Sequence, residues 1–126
     1  MLETIREFGL EQLATAGEEE LVRQRHAAWC LALAERAEPN LVGPEQRQWA
    51  LRLEREHANL RAAHVWLMTR GEAEPALRLA DALWVFWFLR GHLREGSEWL
   101  AQVLAIEPDA FPAERVRVLW GAGMLA

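Results

Sequence analysis

Lysine is absent: all 14 basic residues in this 126-residue chain are arginine. A phosphate-gripping loop of the form G-x-x-x-x-G-K-[ST] therefore cannot lie within it. Cys30 is the single cysteine, which excludes an intramolecular disulfide. Positive charge is in deficit too. With a formal charge of −5 and a pI near 5.4, the chain lacks the clustered positive charge that phosphate contacts require, and no nucleic-acid partner is expected for it. The apolar run Leu83 to Leu89 is far short of the ~20 residues of a bilayer span. No membrane partner is expected, and no targeting segment is visible, so the expected compartment is the cytoplasm. Paired-cysteine metal spacing, a Ser/His/Asp grouping and a Gly-rich phosphate loop are also missing. We therefore expect no enzymatic activity, no cofactor and no metal site.

What is present is helical pattern. Hydrophobic content of 52% rules out general disorder and suits one domain or part of one. Residues 3–16 place Ile5, Phe8, Leu13 and Ala16 on one stripe and should end at Gly17. A second helix should then run from Glu18 to about Glu38, its acidic opening favoured at a helix N-terminus. Val22, His26, Trp29, Cys30, Leu33 and Ala37 form its apolar stripe, where Cys30 reads as a small buried hydrophobe. Pro39 to Pro44 is the clearest loop. From Gln46 to Thr69 the apolar register of Trp49, Leu53, Leu60, Ala63 and Leu67 fits one helix, or two broken near His57 to Asn59. Gly71 closes it.

The centre of organisation is Ala76 to Pro108. A helix starting at Pro75 and capped by Gly91 carries Leu77, Ala80, Leu83, Trp84, Trp87 and Phe88 on one broad face. The next, with Leu93, Gly96, Leu100, Val103 and Leu104 inward, should stop before Pro108. The single-glycine break makes the two antiparallel neighbours.

Two short motifs suggest chemistry. Glu54 and His57 form an E-x-x-H, the spacing that serves di-iron bundles, but no second copy accompanies it and a solvated face is the simpler reading. Gly121 to Ala126 fits G-x-G-x-x-[GA], and Arg115 to Trp120 alternates like the strand before a dinucleotide-binding turn. Val116, Leu119, Trp120, Gly123 and Met124 equally fit a helix begun by Pro112 and Glu114.

The central pair resembles the tetratricopeptide repeat. With Leu77 as first position, Leu83, Trp87, Gly91, Leu100, Val103, Leu104 and Pro108 fall where that family has leucine, an aromatic, glycine, a large apolar residue, a small one, leucine and proline. Departures occur at Trp84 and Gly96. The resemblance implies that these two positions pack together, that Gly123 is the small crossing residue of a following repeat, and that Arg78, Asp81, Val85, Phe88 and Leu89 line a partner-binding groove.

Taken whole, the succession LETIREFGLEQL, RHAAWCLALAERAEP, GPEQRQWALRLEREHANLRAAHVWL and ALRLADALWVFWFLRGHLREGSEWLAQVLA resembles a segment of bacterial STAND-class ATPases, LuxR-type transcriptional regulators among them. The resemblance implies an all-α, tetratricopeptide-like solenoid of stacked antiparallel hairpins and an interior fragment of a longer chain. Residues 1–16 would be the last helix of a winged-helix-like domain, 17–74 a helical linker and solenoid start, and 75–126 a truncated repeat. It implies a sensor and scaffold that receives a protein, a domain of the same chain or a small effector. Apolar residues left uncovered on the last helix would favour self-association. A free-standing peptide-binding repeat protein is the alternative. A third reading, a small-molecule or metal site in an α-bundle enzyme, needs ligands the sequence does not visibly supply.

Overall fold

The computed structural model describes residues 5–106 and 111–125, with side chains from residue 17 onward, and all of its regular structure is helical. The α-helices are α1 (Ile5–Ala37), α2 (Gln46–Arg55), α3 (His57–Arg70), α4 (Ala73–Arg90), α5 (Leu93–Leu104) and α6 (Pro112–Leu125). A short 3-10 helix, Glu38–Val42, joins α1 to α2. No strand occurs among the described residues. Arg115 to Trp120 therefore belongs to a helix, and the dinucleotide-turn alternative falls.

The glycine stops at 71 and 91 are where the sequence puts them. Both residues adopt left-handed backbone, φ 69° and 77°, which glycine alone enters without steric cost. Gly17 does not stop a helix: α1 runs through it without leaving helical geometry. A mid-helix glycine costs only ~1 kcal/mol against alanine, which the length of α1 absorbs. The Pro39 to Pro44 loop is also more ordered than expected. Its first four residues belong to the 3-10 helix, pinned by fully buried Leu41.

Between Gln46 and Arg70 the structure chooses two helices. Glu56 is the single irregular residue, yet its N–H still donates to Arg52 and its carbonyl still accepts from Leu60, so the break is slight. Asn59 does not cap α3; its amide donates to the Glu56 carboxylate at 2.8 Å.

α4 is the hub. It packs against every other helix, the 3-10 segment included, and is buried nearly all round, through Leu77, Leu79, Leu83, Phe86 and Trp87. A helix apolar on all faces belongs inside a fold. It begins at Ala73, so Pro75 occupies its first turn, where the missing N–H is harmless. Phe88, expected on the core face, is 47% exposed.

Small residues decide the other faces. α1 turns Ala27, Cys30, Leu31, Leu33, Ala34 and Ala37 inward and leaves Val22 and Trp29 exposed. Alanines let helices approach closely, so the packed face centres on them and the two leucines between them, leaving Trp29 outside. On α5 Trp99 is buried and Leu93 is not. The expected stop at Pro108 and the first helical residues, Glu3 and Thr4, lie outside the described residues, as do the side chains of Ile5, Phe8, Leu13 and Ala16.

The helix crossings differ from the repeat register. Trp84 does not fill the space above Gly96. A Cβ built on Gly96 would lie 2.9 Å from Trp87 and from Leu125 Cδ1, whereas Trp84 covers Gly121. Gly123, expected to be the small crossing residue, has open space around it. The crossing glycine is two residues earlier, because α6 turns Val118, Gly121 and Leu125 inward.

Candidate functional site

Crossing at Gly121 opens a cleft between α4 and α6. Its volume is about 330 Å³, and Trp84, Val85, Val116 and Trp120 form the apolar part of its wall. Asp81, Arg117 and Glu38 supply the polar part. Asp81 is 9% exposed, and Arg117 Nε donates to its Oδ2 at 2.9 Å. Burial pushes the Asp81 carboxyl above its ordinary range, and Arg117 opposes that shift without cancelling it. Burial and the Asp81 charge likewise raise Glu38. Two acids against one base leave the cleft with an acidic margin.

The five expected groove residues separate. Asp81 and Val85 line the cleft. Arg78 is engaged elsewhere, donating to both oxygens of Glu35 at 2.6 and 3.0 Å and so tying α4 to α1. Phe88 and Leu89 are exposed and do not line the cleft. The cleft residues missed from sequence are Glu38, Trp84, Val116, Arg117 and Trp120. Those of α6 had no local signal, since only the fold brings them to Asp81.

A larger but more open depression, about 600 Å³, lies between α1 and α3, where Trp66 and Val65 meet Glu20, Arg23 and Arg70. The Arg70 to Glu20 ion pair, at 2.7 Å, spans it.

Over 104 residues the chain is 41% identical to proteins provisionally named HTH-type transcriptional regulators in Mycobacterium tuberculosis and Mycobacterium bovis. It is similar to a segment of such regulators. The match covers 82% of this chain and 12% of each relative, so the chain spans about an eighth of their length. No family model and no solved structure matches it.

In this regulator-like segment Cys30 is fully buried. Its thiol donates to the Asn59 carbonyl at 3.6 Å and lies 3.7 Å from His26 Nε2. Burial, helped by the Glu56 charge, pushes the thiol up to about 11, which keeps it neutral and a poor nucleophile at pH 7. The E-x-x-H pair is not a purely solvated face. His57 is buried, and His92 and Glu95 of the next hairpin come within 4 Å of it or of Glu54. Among the described residues no helix is long and apolar enough to cross a membrane.

Proposed function

We propose that the chain is a non-catalytic sensor and scaffold segment of a multidomain, cytoplasmic bacterial transcriptional regulator of the STAND ATPase class, LuxR-type among its relatives. The observation that carries this reading is the 41% identity to regulators of which the matched stretch is only 12%. Stacked helix pairs in such a protein would form a tetratricopeptide-like scaffold between an ATPase domain and an effector. In this reading the domain limit near residue 16 falls inside α1, so the winged-helix-like domain and the linker share one continuous helix.

The α4/α6 cleft is the surface offered to a partner, either another domain of the same chain or a separate protein. Its two tryptophans suit an apolar side chain, and Asp81 with Glu38 suits a basic neighbour on the same partner. This cleft also supports the second reading, a free-standing peptide-binding repeat protein. The native coding frame separates the two: an upstream G-x-x-x-x-G-K-[ST] favours the regulator.

The biochemical test has two parts. Calorimetry of the isolated chain with Mg-ATP, and fluorescence anisotropy with duplex DNA, should both register no binding. Micromolar binding of either ligand would overturn the division of labour proposed. In the intact regulator, Val85→Arg should change the basal rate of ATP hydrolysis by blocking the cleft; an unchanged rate would count against a scaffolding role for it.

A further inference from the structure

Glu54 lies in the last turn of α2, and His57 opens α3 on the far side of the break at Glu56. The left-handed turn at Gly91 brings His92 to the start of α5, with Glu95 in its first turn. Four chemically suitable side chains thus converge from the α2/α3 break and the α4/α5 turn. One ligand atom from each of Glu54, His57 and His92 lies within 4.8 Å of the others.

The distances give each atom a role. His92 Nε2 is 3.0 Å from both Glu54 oxygens. His57 Nδ1 is 3.8 Å from Glu54 Oε2, and His57 Nε2 is 3.5 Å from Glu95 Oε1. Zinc-ligand bonds of ~2.0 to 2.1 Å in a tetrahedron put ligand atoms ~3.4 Å apart. The two separations from Glu54, 3.0 and 3.8 Å, bracket that value, and all three ligand atoms lie within 4.8 Å of one another.

A second observation assigns the two His57 nitrogens. His57 is nine-tenths buried and its Nε2 has no hydrogen-bond partner within the fold. That nitrogen lies 3.5 Å from Glu95 Oε1, and a ring that binds metal through its other nitrogen usually turns its N–H toward such a carboxylate. Glu95 stands in that outer position. It is itself held by Arg61, at 2.8 and 3.2 Å.

We propose that Glu54, His57 and His92 bind a divalent transition-metal ion of the Zn²⁺ class, with Glu95 orienting His57 from the outer shell. The ion replaces the proton shared between His92 and Glu54. Arg90 holds Glu54 Oε1 at 3.1 Å, which leaves Oε2 for the ion. Two imidazoles and one carboxylate favour zinc, cobalt or nickel over calcium or magnesium, and leave a fourth position for water. Bound metal would fasten the α2/α3 break to the α4/α5 turn. This inference does not rest on the regulator reading.

The test is titration of the chain with Zn²⁺ by calorimetry and with Co²⁺ by visible absorption. We expect one ion per chain, a thermal midpoint that rises with Zn²⁺ and falls back with EDTA, and no thiolate signature in the Co²⁺ spectrum. His92→Gln, at a half-buried site that should tolerate it, is expected to weaken binding about tenfold or more. Glu54→Gln should do the same, and Cys30→Ala should leave binding unchanged. Absence of Zn²⁺ binding, or binding indifferent to both His92→Gln and Glu54→Gln, or binding lost in Cys30→Ala alone, would each overturn the proposal.

Discussion

Trp84 packs directly on Gly121: a Cβ placed on that glycine would sit 2.5 Å from the indole Cγ. The contact is with the root of the ring, not with the tip of a flexible chain, so the tryptophan cannot step aside cheaply. Gly121→Ala should therefore destabilise the chain although alanine is the better helix former by ~1 kcal/mol. Overpacking of this kind costs ~1 to 3 kcal/mol, and we expect a lower urea midpoint. A midpoint that rises would mean α6 does not cross α4 here.

Gly96 makes the same prediction against different neighbours. Its Cβ would meet Trp87 and Leu125, each at 2.9 Å. Gly96→Leu should cost ~1 to 3 kcal/mol, and shortening Leu125 to alanine in the same chain should recover part of it. If the Leu125 change simply adds its own loss, Leu125 is not what the new side chain meets.

His64 should make stability depend on pH. The ring stacks on Trp99 with centroids 4.2 Å apart, and its Nε2 lies 2.7 Å from the Gln102 amide oxygen. Burial holds its pKa below the ordinary histidine value, against the opposing pull of Gln102. Arg61, Glu95 and Glu98 rim the dent beside it. Because the folded pKa is the lower one, the unfolded chain takes up this proton first as pH falls below ~6.5. Stability from neutral His64 is complete above that value and is lost on acidification, by at most ~1.4 kcal/mol per pH unit. Comparing urea midpoints at pH 7.5 and 5.5, His64→Gln should lose less than the parent chain. Equal losses would place the acid sensitivity elsewhere.

On α6, Val116, Leu119, Trp120 and Met124 form an outward stripe at helical spacing, exposed by 65, 56, 68 and 45%. A contiguous apolar face of this kind promotes association. Sizing chromatography should show concentration-dependent self-association, and Leu119→Lys with Met124→Lys should abolish it. A monomer at every concentration would show that the stripe is not sticky in isolation.

How much of this was legible depends on the distance over which each signal acts. Gly71 and Gly91 could be read directly, because a left-handed stop is a property of one residue. The central position of α4 followed from its apolar, tryptophan-rich run, whereas its burial on nearly all faces did not show in a reading that gave it one broad face. Periodicity reports that a helix has faces but not which neighbour each one meets, so Trp29 and Phe88 were placed inside when they are outside. Pairs formed across the fold left no local trace: Arg78 with Glu35, Asp81 with Arg117, His92 with Glu54. The cleft and the histidine cluster consist largely of such pairs. E-x-x-H was visible as a spacing, but the partners that give it chemistry arrive only once α4 turns back at Gly91.

Helix α1 spans 33 residues, or about 50 Å at 1.5 Å per residue. Among its described side chains, the first to be buried is Ala27, and Glu20, paired with Arg70 of α3, lies seven residues, or about 10 Å of helix, before it. Geometrically that is a lever arm. A tilt of about 5° at Ala27 would move Glu20 by about 1 Å, so a repacking too small to notice around Cys30 and Ala34 would make or break its ion pair with Arg70.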